Sequence, residues 1–434
     1  MGALYGAELS AGRVTKVERG WPGVDLVTVE GRSTPAVAYP EVVGGIRPGD
    51  LVVLNTTAVD LGLGTGGFDF VVAAVNVRAG GGAGEEAEAL EAGAGGGPPS
   101  GAPPSPGRVM KWRYTPSQVA CLSAEEPQHP GAEAVRDFAV LAGIPVVAAE
   151  LHSQVPIVAA GLRAAWDGRP GDGGGHGSGH HPRVVYIMTD AGALAARFSR
   201  LIPAMKEAGL IDAVVTAGQA FGGDTEAVTL HSALAAARAH LGADAVIVAM
   251  GPGEAGTGTR LGFSGLSQGE ALNAAWALGG TPVAAARMSW ADPRPRHRGL
   301  SHHTLTVLQV GALAPSTLVL PELPEPMLGE VRRQLEGLPP RHRTVVASGR
   351  PALDHLDRIG LRVTTMGRGP EADPYFFLAA GAAGVHAARL ASATAQLRSP
   401  AVSLGSPVVP PGSPAESQTD RASARVGPAP PGLA

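Results

Sequence analysis

The sequence predicts an α/β protein: a small all-β, barrel-like domain followed by a predominantly parallel α/β domain. Three observations predict it. Residues 12 to 77 divide into short strand-like runs between Gly/Pro turns. From about residue 144, apolar strand-like runs alternate with longer helical patterns. Low-complexity stretches separate these blocks and close the chain.

The front domain, residues 1–78, rests on "RVTKVE", "VDLVTVE", "PAVAYP", "DLVVLN" and "DFVVAAVNV", with turns such as "RPGD" between them. A Gly-, Pro- and Ala-rich insert at 79–107 follows, and its composition predicts disorder. The α/β domain, 108–395, offers eight strand candidates: "IPVVAAE", "RVVYIMTD", "DAVVTAG", "DAVIVAM", "TPVAAAR", "STLVLP", "RTVVAS" and "LRVTTM". Alternation of this kind fits a doubly wound sheet, in one or two lobes, and equally a closed (βα)8 barrel. A second flexible insert is expected at 167–182 and a disordered tail over 396–434.

Two helices place polar residues. In "DTEAVTLHSALAAARAHLG" Leu230, Leu234, Ala237 and Leu241 make one stripe, Asp224 stands at the expected N-cap, and His231 lies at the stripe's edge. In "DAGALAARFSRLIPAMKEAG" Leu194, Phe198, Leu201 and Met205 make a similar face behind Asp190, with Pro203 set to kink or shorten the helix.

Composition bounds the function. The chain has 434 residues, 44% of them hydrophobic, and 34 basic against 38 acidic residues give a net charge of -4. Such a chain buries a large core and carries no electrostatic footprint for nucleic acid or an anionic membrane. Cys121 is the only cysteine, which suits a reducing cytoplasm and rules out an intrachain disulfide. The start "MGALYGAELSAGR" does not read as a signal peptide, and the longest apolar stretch carries Glu150 and His152 in its middle. A cytoplasmic address is expected.

In sheets and barrels of this class, ligands bind beyond the carboxyl ends of the strands, so the strand-to-helix loops hold the candidates. They are "ELHSQ", "TDAG", "GQAFGGD", the glycine stretch "GPGEAGTGTRLGFSG" and "SWADPRPRHRGLSHH". The glycine stretch can present free backbone N–H groups to phosphate or carboxylate, through Gly253, Gly256 and Gly258. Thr257, Thr259 and Ser264 would add hydroxyls and Arg260 a charge. It lacks the GK[ST] ending of a P-loop and is too long for a Rossmann turn, and a packing loop explains the glycines as well.

Five residues are candidates for catalysis: Glu150, His152, Asp190, Asp224 and His302. Glu150 and His152, if extended, share one side of the strand and can act as a base with its orienting partner, or as two metal ligands. Asp224 and His231 stand about 10 Å apart along a helix, too far to share one ion. Ser301 is a plausible N-cap, which puts His302 and His303 in the first turn, where the dipole favours neutral imidazole. These two diverge by about 100°, so at most one is expected to face a given centre. Arg294, Arg296, His297 and Arg298 form a cationic loop suited to an anionic substrate.

The cofactor is left open. A divalent metal on Glu150, His152, Asp190, Asp224, Asp292 and one of His297, His302 or His303 is chemically admissible, though no fixed spacing supports it. His176, His180 and His181 sit in a glycine-rich stretch that nothing pre-orders. There is no GxSxG elbow.

Several strings together carry a resemblance: "VLNTTAVDLGLGTGGFDFV", "MKWRYTP", "ELHSQVP", "YIMTDAGAL", "TAGQAFGGDTEAV", "GPGEAGTGTRLGFSG", "QGEALNA", "RMSWADPRPRHRGLSHHT" and "TTMGRG". The chain resembles the bacterial domain-of-unknown-function family 3866 (DUF3866) over residues 4 to 390. The resemblance implies no activity, substrate or cofactor. It does imply that the low-complexity segments are peripheral, because none of these strings lies in them.

Two function classes stay open. One is an enzyme acting on a small anionic metabolite, phosphorylated or carboxylated, by acid/base or metal-assisted chemistry. The other is a non-catalytic nucleotide or effector-binding module with a protein or RNA partner. Acid/base-capable residues recurring at one end of successive strands favour the enzyme. A homo-oligomer is compatible with either.

Overall fold

The computed structural model describes residues 8–62, 67–75, 107–113, 115, 117–167 and 182–398. The insert expected at 79–107 falls outside these residues except for Gly107, and so do the histidines of the 167–182 insert and the tail beyond Arg398.

All five strand runs of the front block are strands: β1 (Leu9–Trp21), β2 (Val24–Val29), β3 (Ala36–Ala38), β4 (Leu51–Asn55) and β5 (Asp69–Val75). They close into a barrel in the order β1-β2-β3-β5-β4. Strands β3 and β5 run parallel, the other pairs antiparallel. A short helix, α1 (Pro40–Val43), connects β3 to β4. This is the connectivity of an OB-type barrel. Alternate residues point inward, so Val27, Val29, Val52 and Leu54 fill the barrel with Val14 and Ala36.

A hairpin of β6 (Val109–Lys111) and β7 (Val119–Cys121), then the short helix α3 (Ala132–Arg136), which follows α2 (Thr57–Asp60), lead into the α/β domain. Its strands are β8 (Pro145–Ala148), β9 (Val184–Thr189), β10 (Ala213–Ala217), β11 (Thr225–Ala227), β12 (Ala245–Met250), β13 (Thr281–Ala285), β16 (Ser316–Leu320) and β17 (His342–Val346), while the short β14 (Met288–Ser289) and β15 (Gly299–Leu300) pair only with each other. The other eight form one open sheet, ordered β11-β10-β9-β12-β8-β13-β16-β17, with every pair parallel. The sheet is doubly wound; it does not close into a (βα)8 barrel, and it is not divided into two lobes.

The pleat sorts the core. Val147 and Ala149 face the helices α4 (Val155–Asp167), α10 (Arg350–Ile359) and α11 (Pro374–Arg398). Val146 and Ala148 face α6 (Leu230–Ala235), α7 (Ser267–Ala277) and α8 (His302–Thr306). Helices α4 and α11 meet backbone to backbone: a Cβ on Gly384 would lie 2.0 Å from the carbonyl oxygen of Val158. Over Pro374–Ala395, α11 is long and apolar enough to cross a membrane, yet 72% of its apolar window is buried inside the protein. Helix α5 (Leu201–Glu207) and α9 (Met327–Leu335) complete the layers.

Three sequence expectations are corrected. "LRVTTM" forms no strand and has only an isolated bridge from Thr365 to Arg368; the eighth strand is β11, formed by "TEA". Asp224 is not the N-cap of the following helix, because β11 intervenes and Thr229 caps α6 instead, accepting from the Ser232 N–H. Behind Asp190 the chain makes a turn and a 3-10 segment at Ala196–Phe198 before α5 starts at Leu201, so Leu194 joins no helical stripe. Pro203 sits in the first turn of α5, where a missing N–H costs nothing.

Candidate functional site

Strand order fixes where a site can form. Consecutive strands β12 and β13 lie on opposite sides of β8, so the loops leaving these three diverge and open a crevice at their carboxyl ends. A cavity of about 770 Å³ occupies that crevice, a volume within the range of small-molecule sites. Leu151 to Ser153, Gly251 to Glu254, Arg287 and the 294–297 loop line it.

The barrel supplies the far wall. Trp21 and Phe68 line the same cavity. Trp21 donates its indole N–H to the carbonyl of Arg197 at 2.7 Å, and the Arg200 guanidinium lies 4.3 Å above its ring. The rings of Phe70 and Phe198 pack 5.9 Å apart.

At the base lies a buried ionic network. Arg287, two residues beyond β13, donates from Nη1 to Glu150 Oε1 at 2.5 Å and to Glu254 Oε2 at 2.8 Å. His303 Nδ1 lies 2.6 Å from the same Glu150 oxygen and 3.1 Å from Glu254 Oε1. The His303 ring stacks flat on Phe263 at 3.8 Å. Burial would raise the Glu150 pKa, but Arg287 and His303 outweigh it and hold the carboxyl well below the usual range. Burial would lower His303, and its hydrogen bonds to Glu150 and Glu254 outweigh that and raise it. Gly265 makes room for this network: a Cβ there would meet Glu150 Cγ at 2.5 Å and Glu254 Oε1 at 2.9 Å.

Ser301 caps α8 as expected, its side chain accepting from the His303 N–H. The expected divergence of His302 and His303 does not keep them apart. Their ring centres are 4.3 Å apart, and each lies about as close to His297, at 5.0 and 4.9 Å. Side-chain rotation at adjacent positions has overcome the 100° step. Burial first, then neighbouring positive charge, pushes His297 down to about 3 and His302 down to about 4. Two buried polar atoms here have no hydrogen-bond partner: Glu150 Oε2 and His302 Nε2. Unpaired polar atoms are costly in a core and concentrate where a ligand is to bind.

Glu150 and His152 do not act as a pair. The strand ends at Ala148, and His152 opens a 3-10 turn that carries it into a second network. There its Nε2 lies 2.6 Å from Ser199 Oγ and its Nδ1 3.0 Å from Tyr186 Oη, which donates to the Met250 carbonyl at 3.1 Å. Burial holds His152 at about 4, neutral at pH 7.

The other candidates are dispersed. Asp190 is exposed and accepts from the Gln219 N–H at 2.8 Å, outside the cavity. Asp224 pairs with Lys206 at 2.5 Å and accepts from the Val214 N–H on the outer part of the sheet. His231 is exposed on α6, so it is not a core-edge residue. The metal set that spanned Glu150, Asp190 and Asp224 is therefore not assembled. Asp292 forms an ion pair with Arg294 at 2.7 Å.

The glycine stretch is not an open cradle leading straight into a helix. It folds back on itself, with a bridge between Gly256 and Phe263, Thr257 N–H on the Gly262 carbonyl at 2.8 Å and Ser264 N–H on the Ala255 carbonyl. Thr257 and Thr259 hydroxyls bond each other at 2.9 Å, Ser264 Oγ serves Ala255 N–H and Met250 Sδ, and Arg260 reaches Gln309. None of these four side chains lines the cavity, whereas Gly253, Gly256, Gly258, Arg296 and His297 do. Cys121 lies elsewhere, its thiol pushed up to about 11 by burial and Glu226.

Sequence reasoning missed Glu254, Arg287, Ser199 and Tyr186. Glu254 and Arg287 carried a readable signal, since each is a lone charge just past a strand's carboxyl end. Ser199 and Tyr186 carried none.

No curated protein and no solved structure matches the chain. The model of a family described as a protein of unknown function (DUF3866) matches residues 35–384, which takes in the barrel from β3 onward and every residue of the crevice except Trp21. The chain belongs to the DUF3866 family.

Proposed function

We propose that the crevice is the active site of an enzyme acting on a small anionic metabolite, phosphorylated or carboxylated. The observation that carries the reading is convergence. Arg294 and Arg296, the glycines at 253, 256 and 258, and the Glu254–Arg287–His303 network border one cavity at the carboxyl ends of β8, β12 and β13.

The roles follow from charge and position. Arg296 is unpaired among the described residues and exposed at the rim, so it meets an incoming anion at little desolvation cost. Glu254 faces the cavity as a carboxylate placed to take a proton from a bound substrate, and His303 borders the same cavity beside it. Glu150 stands behind His303 and orients it. Asp190 and Asp224 take no part.

The alternative, a non-catalytic effector-binding module, needs the barrel as a separate partner surface. Trp21 and Phe68 instead point into the crevice, which supports a barrel that closes the site. A cytoplasmic address, no membrane partner, no indicated nucleic-acid partner and a homo-oligomeric state compatible with this use remain part of the proposal.

The test is thermal-shift titration of the full chain with inorganic phosphate, sugar phosphates and di- and tricarboxylates. One class should raise the melting temperature, and Arg296→Ala should abolish the rise without lowering the unliganded melting point. No response to any of these anions would contradict the reading.

A further inference from the structure

We propose that His297, His302 and His303 form a three-histidine site for a divalent transition metal of the zinc type, at the edge of the crevice floor. The metal's use in catalysis rests on the active-site reading above, while its binding stands separately.

The spacing of the rings carries the inference. Zinc–imidazole bonds of about 2.0–2.1 Å put each ring centre about 3.2 Å from the ion and, at tetrahedral angles, about 5 Å from the next. The three ring centres here are 5.0, 4.9 and 4.3 Å apart. One ring nitrogen from each histidine lies within 4.8 Å of the others. Small ring rotations close that spread to the roughly 3.3 Å that tetrahedral ligation requires.

The outer hydrogen bonds point the same way. His303 Nδ1 is held by Glu150 at 2.6 Å and His297 Nδ1 by Ser301 Oγ at 2.8 Å. Both rings therefore keep Nε2 for an ion, with a carboxylate and a hydroxyl behind them, the arrangement that orients metal-bound histidines. His302 Nε2 is buried without any hydrogen-bond partner.

Charge does not forbid the ion. Arg287 is spent on Glu150 and Glu254, and Arg294 on Asp292. A rival cluster, Glu150 with Glu254 and His303, also has its ligand atoms close together, but the Arg287 guanidinium already occupies it. Three imidazoles favour zinc, cobalt, nickel or iron over magnesium or calcium. Since His297 and His303 line the cavity, the fourth position opens toward it, where water or an anionic oxygen would complete the shell.

The test is titration of the chelator-treated full chain with Zn²⁺ against a chromophoric competitor, repeated with Co²⁺ and read by visible absorption. We expect one ion per chain, the intense visible bands of four- or five-coordinate Co²⁺, and affinity at least ~100-fold weaker in His302→Asn and in His297→Asn. Replacing His176, His180 and His181 together by serine should leave the affinity unchanged. Circular dichroism melts confirm that each variant is folded. Weak octahedral Co²⁺ bands, unchanged affinity in both single variants, or loss of binding in the triple serine variant would overturn the site. No substrate enters this assay, so a chain that binds metal but no anion separates the failure of the active-site reading from the failure of this one.

Discussion

His303 lies 2.6 Å from Glu150 although 153 residues separate them in the chain. The contact joins the loop after β8 to the first turn of α8, and Arg287 bonds the same carboxylate oxygen from the loop after β13. Three segments thus share one buried charge.

Removing that charge should be costly. Glu150→Gln leaves Arg287 and His303 buried beside one carboxylate instead of two, and breaking a buried pair in this way costs about 3–5 kcal/mol. Urea unfolding should show a loss of that order, and pairing the change with Arg287→Met should recover part of it. A loss under 1 kcal/mol would mean the network is solvated and weak.

Gly265→Ala tests whether the glycine is there for space. Its Cβ would sit 2.5 Å from Glu150 Cγ, and overpacking of this kind costs about 1–3 kcal/mol. We expect a lower melting temperature and loss of the anion response together. An unchanged melting point would show that the carboxylates can shift freely.

His152 should make the protein acid-sensitive. Its folded value of about 4 lies below the unfolded value of about 6.5, so the folded state binds fewer protons in between. Its contribution is complete above about pH 6.5 and drains as the pH falls toward 4, by about 1.4 kcal/mol per unit and roughly 3 kcal/mol in all. The stability difference between wild type and His152→Gln should shrink over that window. A difference independent of pH would contradict the assignment of a buried, neutral ring.

Trp21→Ala should separate the barrel's two uses. The barrel core of Val27, Val29, Val52 and Leu54 is untouched by the change, so the fold should persist. Removing a crevice wall and the seat of Arg200 should weaken the anion response about tenfold, or about 1.4 kcal/mol. An unchanged response would detach the barrel from the site.

The sheet was legible wherever apolar runs ended in a turn. Seven of its eight strands and all five of the barrel follow from composition and alternation. "TEA" was not legible because three residues with a charged centre carry no periodicity; Thr225–Ala227 is a strand only because β10 offers an edge. "LRVTTM" has the β-branched content of a strand but lies beyond β17, the last in the sheet. In the site, the Ser301 cap and the placement of His302 and His303 were readable from local rules. The pairing of His152 with Tyr186 and Ser199 was not, because it depends on strand order. That order also sends Asp190 away from β8, whereas Asp224 stands at the amino end of β11, bonded to Val214 at the start of β10, at the opposite end of the sheet from Glu150.

The most direct test of the account is native mass spectrometry of the untagged full chain, purified gently from its native host. The account predicts a stoichiometric small phosphorylated or carboxylated compound retained by wild type and lost from Arg296→Ala. A bare wild-type chain that also takes up none of the added phosphates or carboxylates would contradict it.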